Sequence, residues 1–123
     1  MSDAQVKGFL PLTHLTYHVL LALVDTRLHG YGIIKEVFDR TEGAMDLETG
    51  TLYAAIKRLR DDELIEPAPT PDNVQSSDSR RRYYMLTPLG RGVLEAESTR
   101  LAKLVNVARE KKVIGGVVEA TSR

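Results

Sequence analysis

The sequence predicts a mainly α-helical protein with one small β-hairpin and a long helix at its C-terminal end. Three observations carry that expectation. Leu12–Thr26, Tyr31–Thr41 and Thr49–Glu63 space their apolar residues three and four apart, as helices do. Two short β-type runs, Leu64–Glu66 and Arg82–Leu86, flank a polar loop rich in Pro, Asp, Asn and Ser. After Thr87-Pro88 the apolar residues Leu94, Leu101 and Ala108 recur every seventh position.

Length and composition set bounds on function. A chain of 123 residues with 42% hydrophobic and 28% charged residues has the make-up of one compact globular domain with at most one appendage. The longest apolar stretch, Val19–Val24, is too short to span a bilayer, and the N-terminus does not resemble a signal peptide. With no Cys, disulfides and thiolate metal sites are excluded, and a cytoplasmic protein without a membrane partner is expected. Seventeen basic residues balance seventeen acidic ones, so net charge does not itself point to nucleic acid. Local charge decides phosphate contact, and Arg80-Arg81-Arg82 is one dense basic run.

The first helix is apolar on nearly every side. Leu15, Val19, Ala22 and Leu23 form one stripe and Tyr17, Leu20, Leu21 and Val24 another. A small domain rarely buries a helix all round, so one face is expected to meet a partner chain. Arg27–Gly30 breaks the pattern, and the second helix follows with Ile33, Ile34, Val37 and Phe38 as its expected buried stripe. Gly43 suits a left-handed cap at its end.

The third helix buries Leu52, Ala55, Ile56 and Leu59. Gly50, Ala54, Lys57 and Asp61 then fall on the opposite side, flanked by Tyr53 and Arg58. In the hairpin, Pro67 is expected to end the first strand, with Tyr84 and Leu86 inward and Tyr83 and Met85 outward on the second. Thr87 as N-cap and Pro88 at the first position open the last helix, which is expected to reach about Lys112. Its stripe of Leu94, Leu101, Leu104, Val105 and Ala108 needs another surface, most simply the same helix of a second copy. These patterns divide the chain into a winged helix-turn-helix domain (1–87), a dimerisation helix (88–112) and a flexible tail (113–123).

Four motifs in order carry a closer resemblance: His29-Gly30-Tyr31-Gly32, Gly50-Thr51-Leu52-Tyr53, Lys57-Arg58-Leu59, and the run from Arg82 to Gly90. The chain resembles the PadR family of transcriptional regulators from about Leu12 to Lys112, in the short form with a single C-terminal dimerisation helix. Many relatives carry Pro directly after the tyrosine of the second motif, and many open that helix with Ser or Pro. This chain has Ala54 in the first place, and Glu48 and Thr49 in the second.

The resemblance implies a DNA-binding regulator, more often a repressor, that reads operator DNA as a homodimer and leaves room for a small-molecule effector. Without Trp and with only two Phe, an aromatic stacking pocket for that effector is not evident. In a helix-turn-helix the third helix enters the major groove, N-terminal residues first. That makes Thr51, Tyr53, Lys57 and Arg58 candidates there, and Arg80, Arg81 and Arg82 candidates on the wing. Tyr53 reads equally as a packing aromatic, Lys57 as a solvated lysine, and Arg80 or Arg82 as partners of Asp72 or Asp78. Tyr17 and Leu21 join Leu94, Leu101, Leu104, Val105 and Ala108 as dimerisation candidates.

Other chemistries have less to stand on. His14 and His18 have a metal-compatible spacing but lack an evident third ligand, so neither metal nor cofactor is expected. His29 reads as fixing the turn before the second helix, and Gly30 and Gly32 as permitting close helix contact. No nucleophile motif or placed carboxylate pair supports catalysis. The alternative class is a winged-helix protein-interaction module without DNA binding, which the neutral charge keeps open.

Overall fold

The computed structural model describes residues 2–71 and 81–115. In order they form α1 (Asp3–Lys7), α2 (His14–Ala22), β1 (Leu28–His29), α3 (Gly30–Arg40), α4 (Thr49–Asp61), β2 (Ile65–Ala68), β3 (Tyr83–Leu86) and α5 (Pro88–Glu110). The strands make one antiparallel sheet in the order β1-β3-β2. Arg80 and the wing residues 72–79 lie outside the described residues, as do Asp72, Asp78 and residues 116–123 of the expected tail.

Local signals set most helix starts. Ser2, Thr13 and Thr87 each accept a backbone N–H of their own first turn, leaving fewer donors unsatisfied. His29 does the same for α3, its Nδ1 accepting the Gly32 N–H at 2.9 Å. This is the turn-fixing role expected of it. At the other end of α3, Gly43 has φ +83°, the left-handed cap expected there, and Glu42 before it has φ 53°.

Several expectations are corrected. α1, which the pattern did not reveal, packs Val6 into the core. α2 is shorter than Leu12–Thr26, because Thr13 caps it at one end and Leu23 at the other. Leu28–His29 is a third strand rather than a plain break. Pro67 lies inside β2 rather than ending it; β2 is an outer strand, where a missing N–H is tolerated. Tyr83 faces away from Tyr84 and is not part of the core cluster, yet it is buried as Tyr84 is. The cause is β1, which pairs His29 with Tyr83 and sets its ring edge-on at 5.1 Å. Phe38, assigned to the buried stripe of α3, is 42% exposed and lies against Gly43 rather than in the core.

The core joins Val19, Leu20 and Leu23 of α2 to Ile33 and Val37, to Leu52, Ile56 and Leu59, and to Leu64 and Ile65. Val93 and Leu94 complete it from the first half of α5. Leu94 therefore serves the chain's own core and is closed to a partner. The apolar girdle of α2 is explained partly within the chain, where Tyr17 Oη sits 2.8 Å from Ser98 Oγ of α5. Leu21 is half-buried against the same core.

One charged group lies among these residues. Glu97 is buried, accepts the Leu12 N–H at 2.9 Å and pairs with Arg100 through contacts of 2.6 and 3.0 Å. It ties the N-terminal arm to α5. The Arg100 hydrogen bond outweighs burial and, with the Leu12 N–H, holds the Glu97 carboxyl below its ordinary 4.5. His18 is lowered from 6.5, first by burial and then by the Arg40 guanidinium, whose Nη1 is 2.6 Å from its Nδ1.

Both groups hold protons less readily when folded, so the unfolded chain gains them first and stability falls on acidification. Thermal midpoints measured from pH 7.5 downward are expected to drop below about 6.5 through His18 and again below about 4.5 through Glu97. Glu97→Gln should flatten the lower limb of that curve. A midpoint constant across this range contradicts the assignment.

Candidate nucleic-acid interface

Helix α4 turns Leu52, Ala55, Ile56 and Leu59 into the core, so its other side is open by necessity. Gly50, Thr51, Tyr53, Ala54, Lys57 and Arg58 are all exposed. A side chain at Gly50 would meet nothing within 4 Å. Lys57 Nζ is 2.9 Å from Asp61 Oδ2 one turn along the same face. Exposed pairs of this kind are worth little, so an incoming phosphate can replace the carboxylate without a large loss.

Tyr53 joins this face to the start of α3. A Cβ built on Gly30 would lie 2.4 Å from the Tyr53 hydroxyl oxygen and 2.7 Å from the ring carbon bearing it. The ring thus lies on the bare backbone of Gly30, while Tyr53 stays 46% exposed. The packing and surface readings of Tyr53 are therefore compatible. Gly30 is the close-contact glycine that sequence reasoning anticipated, and its partner is this tyrosine.

The wing meets the same corner. Arg81 and Arg82 are exposed where β3 begins, and Arg81 Nη1 is 2.9 Å from His29 Nε2. The imidazole edge and the Arg81 guanidinium therefore meet beside the wing. Tyr31, 66% exposed, lies nearly parallel to the His29 ring at 6.4 Å. Sequence reasoning found the capping role of His29 but not its contact with Arg81, since no local signal links positions 52 residues apart.

The dimerisation candidates separate into two groups. Leu94 is in the core, and Tyr17, Leu21, Leu101 and Ala108 are half-buried. Leu104 is 57% exposed and Val105 43%, on the half of α5 that extends past the core. The helix has 23 residues, so it is about 34 Å long. Among the described residues, no group of three or more His, Asp or Glu could hold a metal, and His14 and His18 face each other edge-on at 4.7 Å. Among them also, no helix is long and apolar enough to cross a membrane.

Three helices, a three-stranded wing and an exposed third-helix face define a winged helix-turn-helix protein, a DNA-binding fold. The model of the transcriptional regulator PadR-like family matches residues 19–96, and the chain belongs to that family. Its members are transcriptional regulators and not enzymes. A PadR family transcription regulator from Clostridium difficile is 30% identical, with TM-score 0.67 over 80% of this chain and 97% of that one. An uncharacterized protein X of Lysinibacillus sphaericus is 35% identical over 66% of this chain and 72% of its own length. The fold is shared at 21% identity with Bordetella bronchiseptica BpsR, a structure that addresses regulation of its DNA binding by 6-hydroxynicotinic acid. That likeness has TM-score 0.60 over 98% of this chain and 74% of BpsR.

Proposed function

We propose that this chain is a sequence-specific DNA-binding transcriptional regulator, a homodimeric repressor of the cytoplasm. The observation that carries the reading is the continuity of one exposed surface. It runs from Thr51, Tyr53, Lys57 and Arg58 on α4, past His29, to Arg81 and Arg82 on the wing. Each recognition helix would enter a major groove, with the wing against flanking phosphates. Arg80 would extend the wing contact.

The exposed end of α5 supports the dimer, since Leu101, Leu104, Val105 and Ala108 share one helical side. Residues 1–87 would read DNA, while residues 88–112 would make the dimer and their first turns also close the core. An effector fits the same scheme, as the BpsR likeness illustrates, and its site would lie at the dimer contact.

Salt tests the reading. Affinity for duplex DNA, both mixed-sequence and from the promoter of its own gene, should fall steeply as salt rises. Lys57→Ala and Arg81→Ala should each weaken binding of every duplex and reduce the log–log slope by about 1, leaving assembly intact. Failure of the wild-type protein to bind either duplex at low salt would favour the protein-interaction module instead.

A further inference from the structure

Gly30 opens α3 and is buried, although it has no side chain to bury. The three atoms nearest to a Cβ built there all belong to one ring on another helix. They are the Tyr53 hydroxyl oxygen at 2.4 Å, the carbon bearing it at 2.7 Å and a neighbouring ring carbon at 3.2 Å. Helical side chains lean over the preceding turn of their own helix, where Tyr53 has Gly50. A Cβ on Gly50 would meet nothing within 4 Å, so the ring does not rest on that residue. Its seat is the bare backbone at the start of α3.

The hydroxyl on that ring is well placed but idle. Tyr53 is 46% exposed, and among the described residues its hydroxyl makes no hydrogen bond. A held, unpartnered hydroxyl on the open side of a recognition helix is a group that a bound duplex can engage. Alanine at position 30 would push it from 2.4 Å to at least 3.4 Å, where ordinary contact begins. Such a displacement exceeds the roughly 0.5 Å that a bound contact tolerates. The far end of a tyrosine side chain makes this move at little cost, and Gly30 has no left-handed backbone for alanine to strain. Substitution here therefore moves one hydroxyl and leaves the fold in place.

We infer that Gly30 is a positioning residue for sequence discrimination: its bare backbone seats the Tyr53 ring and fixes where the hydroxyl meets a base edge. The inference rests on the DNA-binding reading above.

The probe is the duplex that the wild-type protein selects from a random pool, with a mixed-sequence duplex beside it. Affinity for both is measured over a series of salt concentrations for the full chain, Gly30→Ala, Tyr53→Phe, Tyr53→Ala and the double variant Gly30→Ala with Tyr53→Ala. Gly30→Ala is expected to lower affinity for the selected duplex by about 2- to 10-fold, the worth of one hydrogen bond, and to leave the mixed-sequence duplex unchanged. Tyr53→Phe should show the same loss, since only the hydroxyl is removed. The log–log salt slope should not move, because none of these changes alters charge. In the Tyr53→Ala background Gly30→Ala should have no further effect. Melting of free Gly30→Ala should match the wild type.

Wild-type preference in Gly30→Ala overturns the inference and leaves the DNA-binding reading standing. So does an equal loss on both duplexes, or an undiminished loss from Gly30→Ala in the Tyr53→Ala background. Should Gly30→Ala melt early, Tyr53→Phe decides instead: wild-type preference in that variant overturns the inference, and reduced preference sustains it. A wild type that binds no duplex at low salt removes the underlying reading as well.

Discussion

Gly90→Ala is expected to cost the protein most of its stability. A Cβ at this position would lie 1.9 Å from the Leu64 carbonyl oxygen and 2.9 Å from its carbon. These are backbone atoms and cannot turn aside as a side chain would. The same carbonyl accepts the Thr87 N–H at 3.1 Å, and Thr87 Oγ1 donates to the Glu63 oxygen at 2.6 Å. Moving α5 away from α4 therefore breaks the junction and draws Val93 and Leu94 out of the core. Overpacking in a core typically costs about 1–3 kcal/mol, and more where nothing can give. We expect about 3 kcal/mol or more, a large share of the 5–15 kcal/mol typical of a domain. The thermal midpoint should drop by roughly 10 °C or more. Gly50→Ala is the matched control: its Cβ meets nothing, and it stands in the first turn of α4, where alanine is well tolerated. Equal midpoints for Gly90→Ala and the wild type contradict the packing described here.

The double substitution Leu104→Glu with Val105→Glu is expected to separate the proposed dimer without unfolding either chain. Both residues are exposed in the isolated chain, so its fold does not depend on them. Carboxylates at those positions would repel their counterparts across a two-fold contact and stay unsatisfied if buried. Sedimentation should then give a monomer with an unchanged helical spectrum. Linked binding of two half-sites adds about 10²–10⁴ to affinity, and the variant should lose a comparable factor on operator DNA. Point changes are the right instrument here. Cutting the chain after Thr87 would also remove Val93, Leu94 and Glu97, and the fold with them. A variant that stays dimeric places the interface elsewhere.

Much of this architecture is legible residue by residue. Four helices and two strands follow from spacing, and the starts of α3 and α5 follow from His29 and Thr87-Pro88. The outer face of α4 follows from its four buried positions, because helical geometry leaves no other side for Lys57 and Arg58. Tyr83 lies on the outer face as alternation requires, yet it is buried, because a two-residue strand from elsewhere in the chain sets His29 against it. Phe38 was misassigned because periodicity marks a side of the helix and does not say how far the core extends along it.

The candidate site divides in the same way. Periodicity and cap chemistry determined which residues of α4 face outward and where the wing and long helix begin, since these depend on neighbours within a few positions. Only the tertiary structure set His29 beside Arg81 and laid Tyr53 on Gly30. It also decided that Leu94 belongs to the core while Leu104 stands outside it, although both share one heptad stripe. The physical reason is that burial and charge proximity depend on which surfaces close over one another. Those closures join residues tens of positions apart, where no local pattern carries the information.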